Sequence, residues 1–254
     1  MTYLEAVLLG ALQGVTEFLP ISSSGHLVLG QAWLGISLPG KTFEVVLHLG
    51  SLISILLVFW PDIRNLVLSL HQTATRRYAG ILLWATLPAA LIGIWLEEWF
   101  DQAFDSPHLV AASLVVTGLI LFATKFLTPG QREVDWKRGF YIGLAQMCAI
   151  VPGISRSGST ISAALALGVE SQEAARFSFL LALPAIAGAG LLTLREVMVT
   201  PELGLPLGPA LAGFLTSVLV GYAALTWLLR IVSRGKLYQF SAYCFILGML
   251  AWIV

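Results

Sequence analysis

Charge is what this chain has least of. Of its 254 residues, 14 are basic and 14 acidic, 11% in all, against roughly 25% in an ordinary soluble domain. So few charges cannot clothe the surface of a soluble protein of 27.4 kDa. With a mean hydropathy of +0.86, this excludes a soluble enzyme, a disordered chain and a nucleic-acid binder with a basic face. The net charge is zero, so no bulk attraction to an acidic partner is implied. Cysteine is also scarce: Cys148 and Cys244 stand far apart with no CxxC spacing, which argues against a disulfide framework and a zinc site. What remains is an all-α integral membrane protein.

A bilayer core of about 30 Å takes roughly 20 apolar residues per helix. Six stretches meet that demand, approximately Thr42–Trp60, Ala79–Leu96, Leu109–Leu127, Phe177–Leu194, Ala210–Leu229 and Leu237–Val254. The N-terminus has no Lys or Arg before its apolar run and carries Glu5, so it is expected to belong to the mature fold rather than to a cleaved signal.

Two further apolar segments, 2–34 and 139–168, break midway. The first breaks at Pro20-Ile21-Ser22-Ser23-Ser24-Gly25-His26, the second at Pro152-Gly153-Ile154-Ser155-Arg156-Ser157-Gly158. Neither half of either segment can cross alone, and the backbone groups freed at a break are tolerated only in protein or beside a wet cavity. Both read as re-entrant helix hairpins.

They are also a repeat. A shift of 133 residues lays Gln13 on Gln146, Ile21 on Ile154, Ser22 on Ser155, Ser24 on Ser157 and Gly25 on Gly158. Three full spans between two re-entrant hairpins make the second half inverted. The expectation is one membrane domain of inverted repeats, approximately 1–128 and 135–254, with the two broken tips facing each other near the midplane.

That topology puts Arg64, Arg76, Arg77, Lys125, Arg132, Lys137, Arg138, Arg176, Arg230, Arg234 and Lys236 on one side. The other side holds Lys41 and Arg195 with Glu97, Glu98, Asp101 and Asp105. The positive-inside rule makes the basic side cytoplasmic. Both termini and the mouth of the first hairpin then face outward.

Ionisable groups at membrane depth cost about 2.5–3.5 kcal/mol each on insertion scales and mark function by default. Glu17, His26 and Arg156 lie in the hairpins. Gln13 and Glu17 share a helical face, Ser22, Ser23, Ser24 and His26 follow in the break, and Arg156 arrives from the opposite hairpin. With Ser155, Ser157 and Thr160 they converge on one pocket. Arg offers a fork for phosphate oxygens, and a Ser/Gly turn leading into a helix presents free N–H groups to an anion. Glu17 could hold a divalent cation or activate a nucleophile, while Ser23 and His26 supply a nucleophile and a proton-transfer group. A polar tip in a hydrocarbon setting suits a lipid with a phosphorylated head. His48 reads as structural, although Glu44, His48 and Ser51 share a face that could flank the pocket.

Generic motifs are missing. There is no GxxxxGK[ST], no HExxH and no GxSxG. A phosphohistidine lipid phosphatase needs a second His after its Ser-Arg, and His26, His48, His71 and His108 all precede Arg156.

The runs Gln13-Gly14-Val15-Thr16-Glu17-Phe18-Leu19-Pro20-Ile21-Ser22-Ser23-Ser24-Gly25-His26 and Pro152-Gly153-Ile154-Ser155-Arg156-Ser157-Gly158 resemble the two signatures of bacterial undecaprenyl-diphosphate phosphatases. This is the integral-membrane family associated with bacitracin resistance. Lys41-Thr42-Phe43-Glu44-Val45-Val46 and Phe177-Ser178-Phe179-Leu180-Leu181 match as well. The resemblance covers essentially the whole chain. It implies hydrolysis of undecaprenyl diphosphate to the monophosphate and phosphate with a divalent cation, Mg²⁺ or another such as Ca²⁺. That reaction regenerates the carrier lipid for peptidoglycan synthesis, in the bacterial cytoplasmic membrane. By the resemblance, Glu17, Ser23, His26 and Arg156 are catalytic, with Glu17 the metal ligand. Ser22, Ser24, Gly25, Ser155, Ser157, Gly158 and Thr160 bind phosphate, and Gln13 is accessory. Two positions depart from the pattern: many members have Glu at Gln13, and many end with Tyr-Arg where this chain has Tyr243-Cys244. A lipid flippase or transporter is the competing reading, since inverted repeats with broken helices are transporter architecture. The expected partners are the polyprenyl diphosphate lipid and the bilayer, and the sequence leaves a homo-oligomer open.

Overall fold

The computed structural model describes residues 1–34, 42–96, 103, 106–128, 130–199 and 206–252, and side chains throughout these except for 32–34 and 189–199. In chain order the helices are α1 (Tyr3–Phe18), α2 (Ser23–Leu34), α3 (Thr42–Val58), α4 (Trp60–Leu68), α5 (Thr73–Trp95), α6 (Pro107–Ala123), α7 (Trp136–Cys148), α8 (Arg156–Ala166), α9 (Ser171–Val199), α10 (Leu207–Ser233) and α11 (Phe240–Ala251). Among the described residues the only β pairing is one isolated bridge.

Local chemistry sets the helix ends. Thr2 and Glu5 form a capping box that starts α1, which explains an acidic residue so close to the N-terminus. Ser106 and Asp135 accept first-turn N–H groups of α6 and α7. Pro20 ends the first helix because the residue before a proline is pushed out of the α region, and Leu19 is extended at φ −61°, ψ 144°.

α5, α10 and the run Pro107–Phe126, which joins α6 to a 3₁₀ turn, are long and apolar enough to cross a bilayer. The expected span Thr42–Trp60 is instead a pair, α3 and α4, bent by 73°. Phe59 leaves the helical region there and Pro61 sits in the first turn of α4. The pair counts as a fourth candidate span. The stretch Phe177–Leu194 lies inside α9, and the last stretch is a 3₁₀ turn (Leu237–Gln239) followed by α11, with residues 253–254 outside the described residues. Lys41, Glu97, Glu98, Asp101 and Asp105, used to read the topology, also lie outside the described residues, as does the side chain of Arg195.

α1, α2, α7 and α8 have 16, 12, 13 and 11 residues, short of the roughly 20 a span needs. After α8 the chain returns to where α7 began: Arg132 N–H donates to the Gly168 carbonyl at 3.0 Å and Glu170 N–H to the Arg132 carbonyl at 3.2 Å.

Helix contacts come in matched sets. α1 packs on α10 and α7 on α5; α3 packs on α10 and α9 on α5; α6 meets α11 and α3 meets α9. Small residues permit the closest seams. A Cβ on Gly10 would stand 2.4 Å from the Gly213 carbonyl oxygen, and one on Gly143 would lie as close, 2.2 Å, to that of Ala85. Gly10 and Gly143 are 133 residues apart, the same shift that aligns the two broken segments. Around the breaks, Phe179 packs against Phe18 and Phe59 with ring centroids 5.9 and 6.0 Å apart in the main core. The outer face is apolar: Trp95 is 87%, Leu207 82%, Phe126 73% and Leu219 72% exposed. A soluble surface avoids so much apolar area, whereas lipid tails accept it. The chain is a multi-pass helical membrane protein.

Candidate active site

Each break starts a helix with a serine cap. The Ser22 hydroxyl accepts the Gly25 N–H at 3.4 Å and lies 3.3 Å from the Ser24 hydroxyl. The Ser155 hydroxyl accepts the Gly158 N–H at 3.1 Å and lies 3.3 Å from the Ser157 hydroxyl. The breaks touch: a Cβ on Gly25 would meet Gly153 Cα at 3.2 Å, and one on Gly158 would meet Pro20 Cβ at 3.2 Å. Ser157 donates across to the Leu19 carbonyl at 3.4 Å. The first turns of α2 and α8 therefore open into one cavity of about 320 Å³, lined by Glu17, Ser22, Ser23, Ser24, Ser155 and Arg156 with Thr16, His48 and an apolar wall.

Glu17 is the hub. Its Oε1 accepts Arg156 Nη2 at 2.7 Å, and its Oε2 accepts the Ser23 hydroxyl at 2.6 Å and Gln13 Nε2 at 3.2 Å. His48 Nε2 lies 3.6 Å from Oε2. A buried carboxylate needs such partners to stay ionised, and the guanidinium from the other half provides the main one. Arg156 Nη1 is buried with no hydrogen-bond partner. Gln13 Oε1 is likewise buried and unpartnered.

Other sequence-derived residues fall elsewhere. Thr160 is fully buried and bonds the Ser178 hydroxyl at 2.5 Å, which ties α8 to α9. Ser157 spends its hydroxyl between the two breaks, and Gly25 and Gly158 serve their close approach. His26 lies behind the first break. Its Nδ1 is 2.7 Å from the Ser22 carbonyl and its Nε2 2.7 Å from the Tyr243 hydroxyl, and its ring lines a separate apolar cavity between α1 and α11. At the other departure from the family pattern, the Cys244 thiol meets the Pro20 carbonyl at 3.7 Å.

His48, read from sequence as structural, stands in the cavity beside Glu17. The signal for it was its position one turn after Glu44 on a face shared with Ser51, whose hydroxyl Gln13 Nε2 approaches at 3.4 Å. Thr117 gave no signal. Its hydroxyl accepts the Ser155 N–H at 3.0 Å and donates to the Gly153 carbonyl at 2.9 Å, which fixes the second break from α6.

Fold and site define a class: a polytopic helical membrane protein whose buried carboxylate, guanidinium and hydroxyls meet where two broken helices abut. The chain belongs to the bacitracin resistance protein BacA family, whose model matches residues 6–250. It is 40% identical to the undecaprenyl-diphosphatase of Desulforapulum autotrophicum, over 100% of this chain and 98% of that one. It is 43% identical to the undecaprenyl-diphosphatase of Rubrobacter xylanophilus over 97% and 96% of the two chains. To undecaprenyl-diphosphatase 1 of Bacillus licheniformis it is 40% identical over 98% and 97%.

Proposed function

We propose that this chain is an undecaprenyl-diphosphatase, which hydrolyses undecaprenyl diphosphate to undecaprenyl phosphate and inorganic phosphate and so recycles the carrier lipid for cell-wall synthesis. The observation that carries the chemistry is Glu17 bridging the Ser23 hydroxyl and the Arg156 guanidinium, with Arg156 Nη1 unpartnered beside them. The relatives' shared activity supplies the substrate.

In this reading the terminal phosphate sits against Arg156 and the first turns of α2 and α8, whose N–H groups favour an anion. Ser23 Oγ passes its proton to Glu17 and attacks the terminal phosphorus. The bond to the bridging oxygen breaks, and undecaprenyl phosphate leaves with the electron pair. Glu17 releases that proton with the departing undecaprenyl phosphate and, ionised again, takes one from the water that attacks the phosphoserine. The P–Oγ bond breaks, and Ser23 Oγ leaves with the electron pair and recovers a proton from Glu17 as phosphate is released. Glu17 serves as base because Ser23 bonds it directly, whereas both ring nitrogens of His26 are engaged away from the cavity.

The donors suit a divalent cation such as Mg²⁺, which takes one or two carboxylates and fills its shell with phosphate oxygens and water. Among the described residues no three Asp, Glu, His or Cys side chains cluster for a metal, so the cation would be held jointly with substrate. Glu17, the unpartnered Gln13 Oε1 and the Ser23 and Ser24 hydroxyls would hold it. Bound there, it would supply charge neutralisation to the diphosphate.

We place the chain in the bacterial cytoplasmic membrane, as inverted repeats 1–128 and 135–254, with the cavity mouth and both termini outward. Matched helix pairings support the repeat. Sidedness is supported by Trp136 packing on Gly80 and Arg176 reaching Asp62 at 2.7 Å, which gather the basic starts of α5, α7 and α9 at one end.

The test is phosphate release by the purified protein from undecaprenyl diphosphate in detergent with Mg²⁺. Release by wild type and its loss in Arg156→Ala are expected; a wild type that releases none overturns the proposal. A phosphoserine trapped at Ser23 by acid quench separates the covalent route from direct attack by water.

A further inference from the structure

His26 and Tyr243 form a closed arrangement behind the site. A backbone carbonyl can only accept, so the 2.7 Å contact between His26 Nδ1 and the Ser22 carbonyl puts the ring proton on Nδ1. Nε2 then carries the lone pair, and the Tyr243 hydroxyl at 2.7 Å donates to it. The two ring planes are parallel to within 5°, with centroids 5.6 Å apart. Neither nitrogen is left for a substrate, and the ring faces the cavity of Leu12, Val15 and Phe240 rather than that of Glu17 and Arg156.

The carbonyl that the His26 ring holds, which also accepts the His26 backbone N–H at 3.3 Å, belongs to a strained residue. Ser22 is the only non-glycine residue with positive φ among the described residues, at 69°. Such a conformation is strained in a residue with a Cβ and persists only when its surroundings over-determine it. Ser22 immediately precedes Ser23, whose hydroxyl must stay on Glu17 at 2.6 Å. In the second half the equivalent of His26 is Ser159, whose hydroxyl is buried without a partner. There Ser155 has an ordinary φ of −73°, and no imidazole is needed.

We infer that His26 and Tyr243 are positioning residues: the Tyr243 hydroxyl fixes the Nδ1–H tautomer of His26, and that N–H holds the left-handed Ser22 turn that aims Ser23 at Glu17. This rests on the phosphatase reading and assigns His26 a structural duty within it rather than attack or proton transfer.

The two duties separate by substitution. Asn places its amide nitrogen where His has Nδ1, whereas Gln reaches only toward Nε2. Phosphate release from undecaprenyl diphosphate is measured for His26→Asn, His26→Gln, His26→Ala and Tyr243→Phe. Misplacing a reacting group by about 1 Å can cost about 10²-fold, and kcat losses of that order are expected in His26→Gln and His26→Ala. His26→Asn should recover to within about tenfold of wild type and keep the shape of its pH–rate profile, since the turn is again held. Tyr243→Phe, which removes one hydroxyl from a half-exposed ring, should lower kcat several-fold with KM unchanged. His26→Asn as inactive as His26→Ala, or lacking a limb of the pH profile, overturns the inference, as does a Tyr243→Phe enzyme with wild-type kcat. A wild type that releases no phosphate would instead sink the phosphatase reading.

Discussion

The two breaks are built to one plan and do different work. Each puts a capping serine before a helix and a second serine 3.3 Å from the first. They differ in where the chain takes its left-handed step. In the second break Gly153 takes it, at φ 92°, a conformation free to glycine. The equivalent of Gly153 in the first break is Pro20, whose ring fixes φ negative, and the step falls on Ser22 instead. The second break is relaxed and delivers a cation, Arg156; the first is strained and carries the carboxylate and the hydroxyl. In the proposed mechanism the two breaks thus divide the work, one holding the charge clamp and the other the nucleophile.

Breaking the bond that joins the two breaks should have the largest effect. Glu17→Gln keeps the shape and removes the base, and loss of a general base costs about 10²–10⁴-fold in rate. Arg156→Ala should be comparably inactive. It also leaves Glu17 buried without its counter-charge, a change of about 3–5 kcal/mol, so its melting temperature in detergent should fall while that of Glu17→Gln falls less. Equal melting temperatures would show that the pair is not desolvated as the contacts imply.

Overpacking sharpens the comparison at the level of scaffold. Gly10→Leu and Gly143→Leu introduce the same bulk at equivalent seams, each expected to cost about 1–3 kcal/mol. Two-fold construction predicts like losses of thermal stability. Only Gly10 lies on the helix that carries Glu17, so activity in the protein that remains folded should fall further in Gly10→Leu.

Much of this was legible in the sequence because membrane depth makes polar residues rare. Glu17, Ser23 and Arg156 could be singled out as exceptions in apolar runs, and the 133-residue repeat indicated that the two breaks would meet. Direction was not legible. His26 follows the serines closely enough to suggest a shared pocket, yet it lies one helical turn after Ser22, so its ring folds back on the Ser22 carbonyl. Thr160 is the same case, turned toward Ser178. His48 reads as structural because a lone histidine on an apolar helix face more often is, and its partner Glu17 comes from a helix 31 residues away in sequence. The bend at Phe59 was hidden by hydropathy, which continues unbroken to Trp60.

His48 tests how far the strained break depends on help from α3. Its Nε2 is 3.6 Å from Glu17 Oε2 and its side chain is 29% exposed, so the contact is modest. A partly exposed charge contact of about 0.2–1 kcal/mol corresponds to a loss of activity of about 1.5- to fivefold in His48→Ala, with little change in melting temperature. A loss as deep as that of Glu17→Gln would promote His48 to a reacting group.

The smallest effect is the most discriminating between the breaks. Ser22→Gly and Ser155→Gly remove equivalent caps, and glycine in place of a serine cap costs only a few tenths of a kcal/mol. Both add the same freedom to the unfolded chain, so these costs cancel when the two are compared. What does not cancel is φ: glycine relieves the left-handed strain at Ser22, worth about 1–2 kcal/mol, and relieves nothing at Ser155. Ser22→Gly should therefore melt higher than Ser155→Gly by about 2–8 °C, at about 2–4 °C per kcal/mol for a chain of this size. It should nevertheless be the slower enzyme, because a turn free to leave the left-handed region no longer holds Ser23 on Glu17. Strain released and activity lost in one substitution would show that the first break's conformation is kept for chemistry and not for stability.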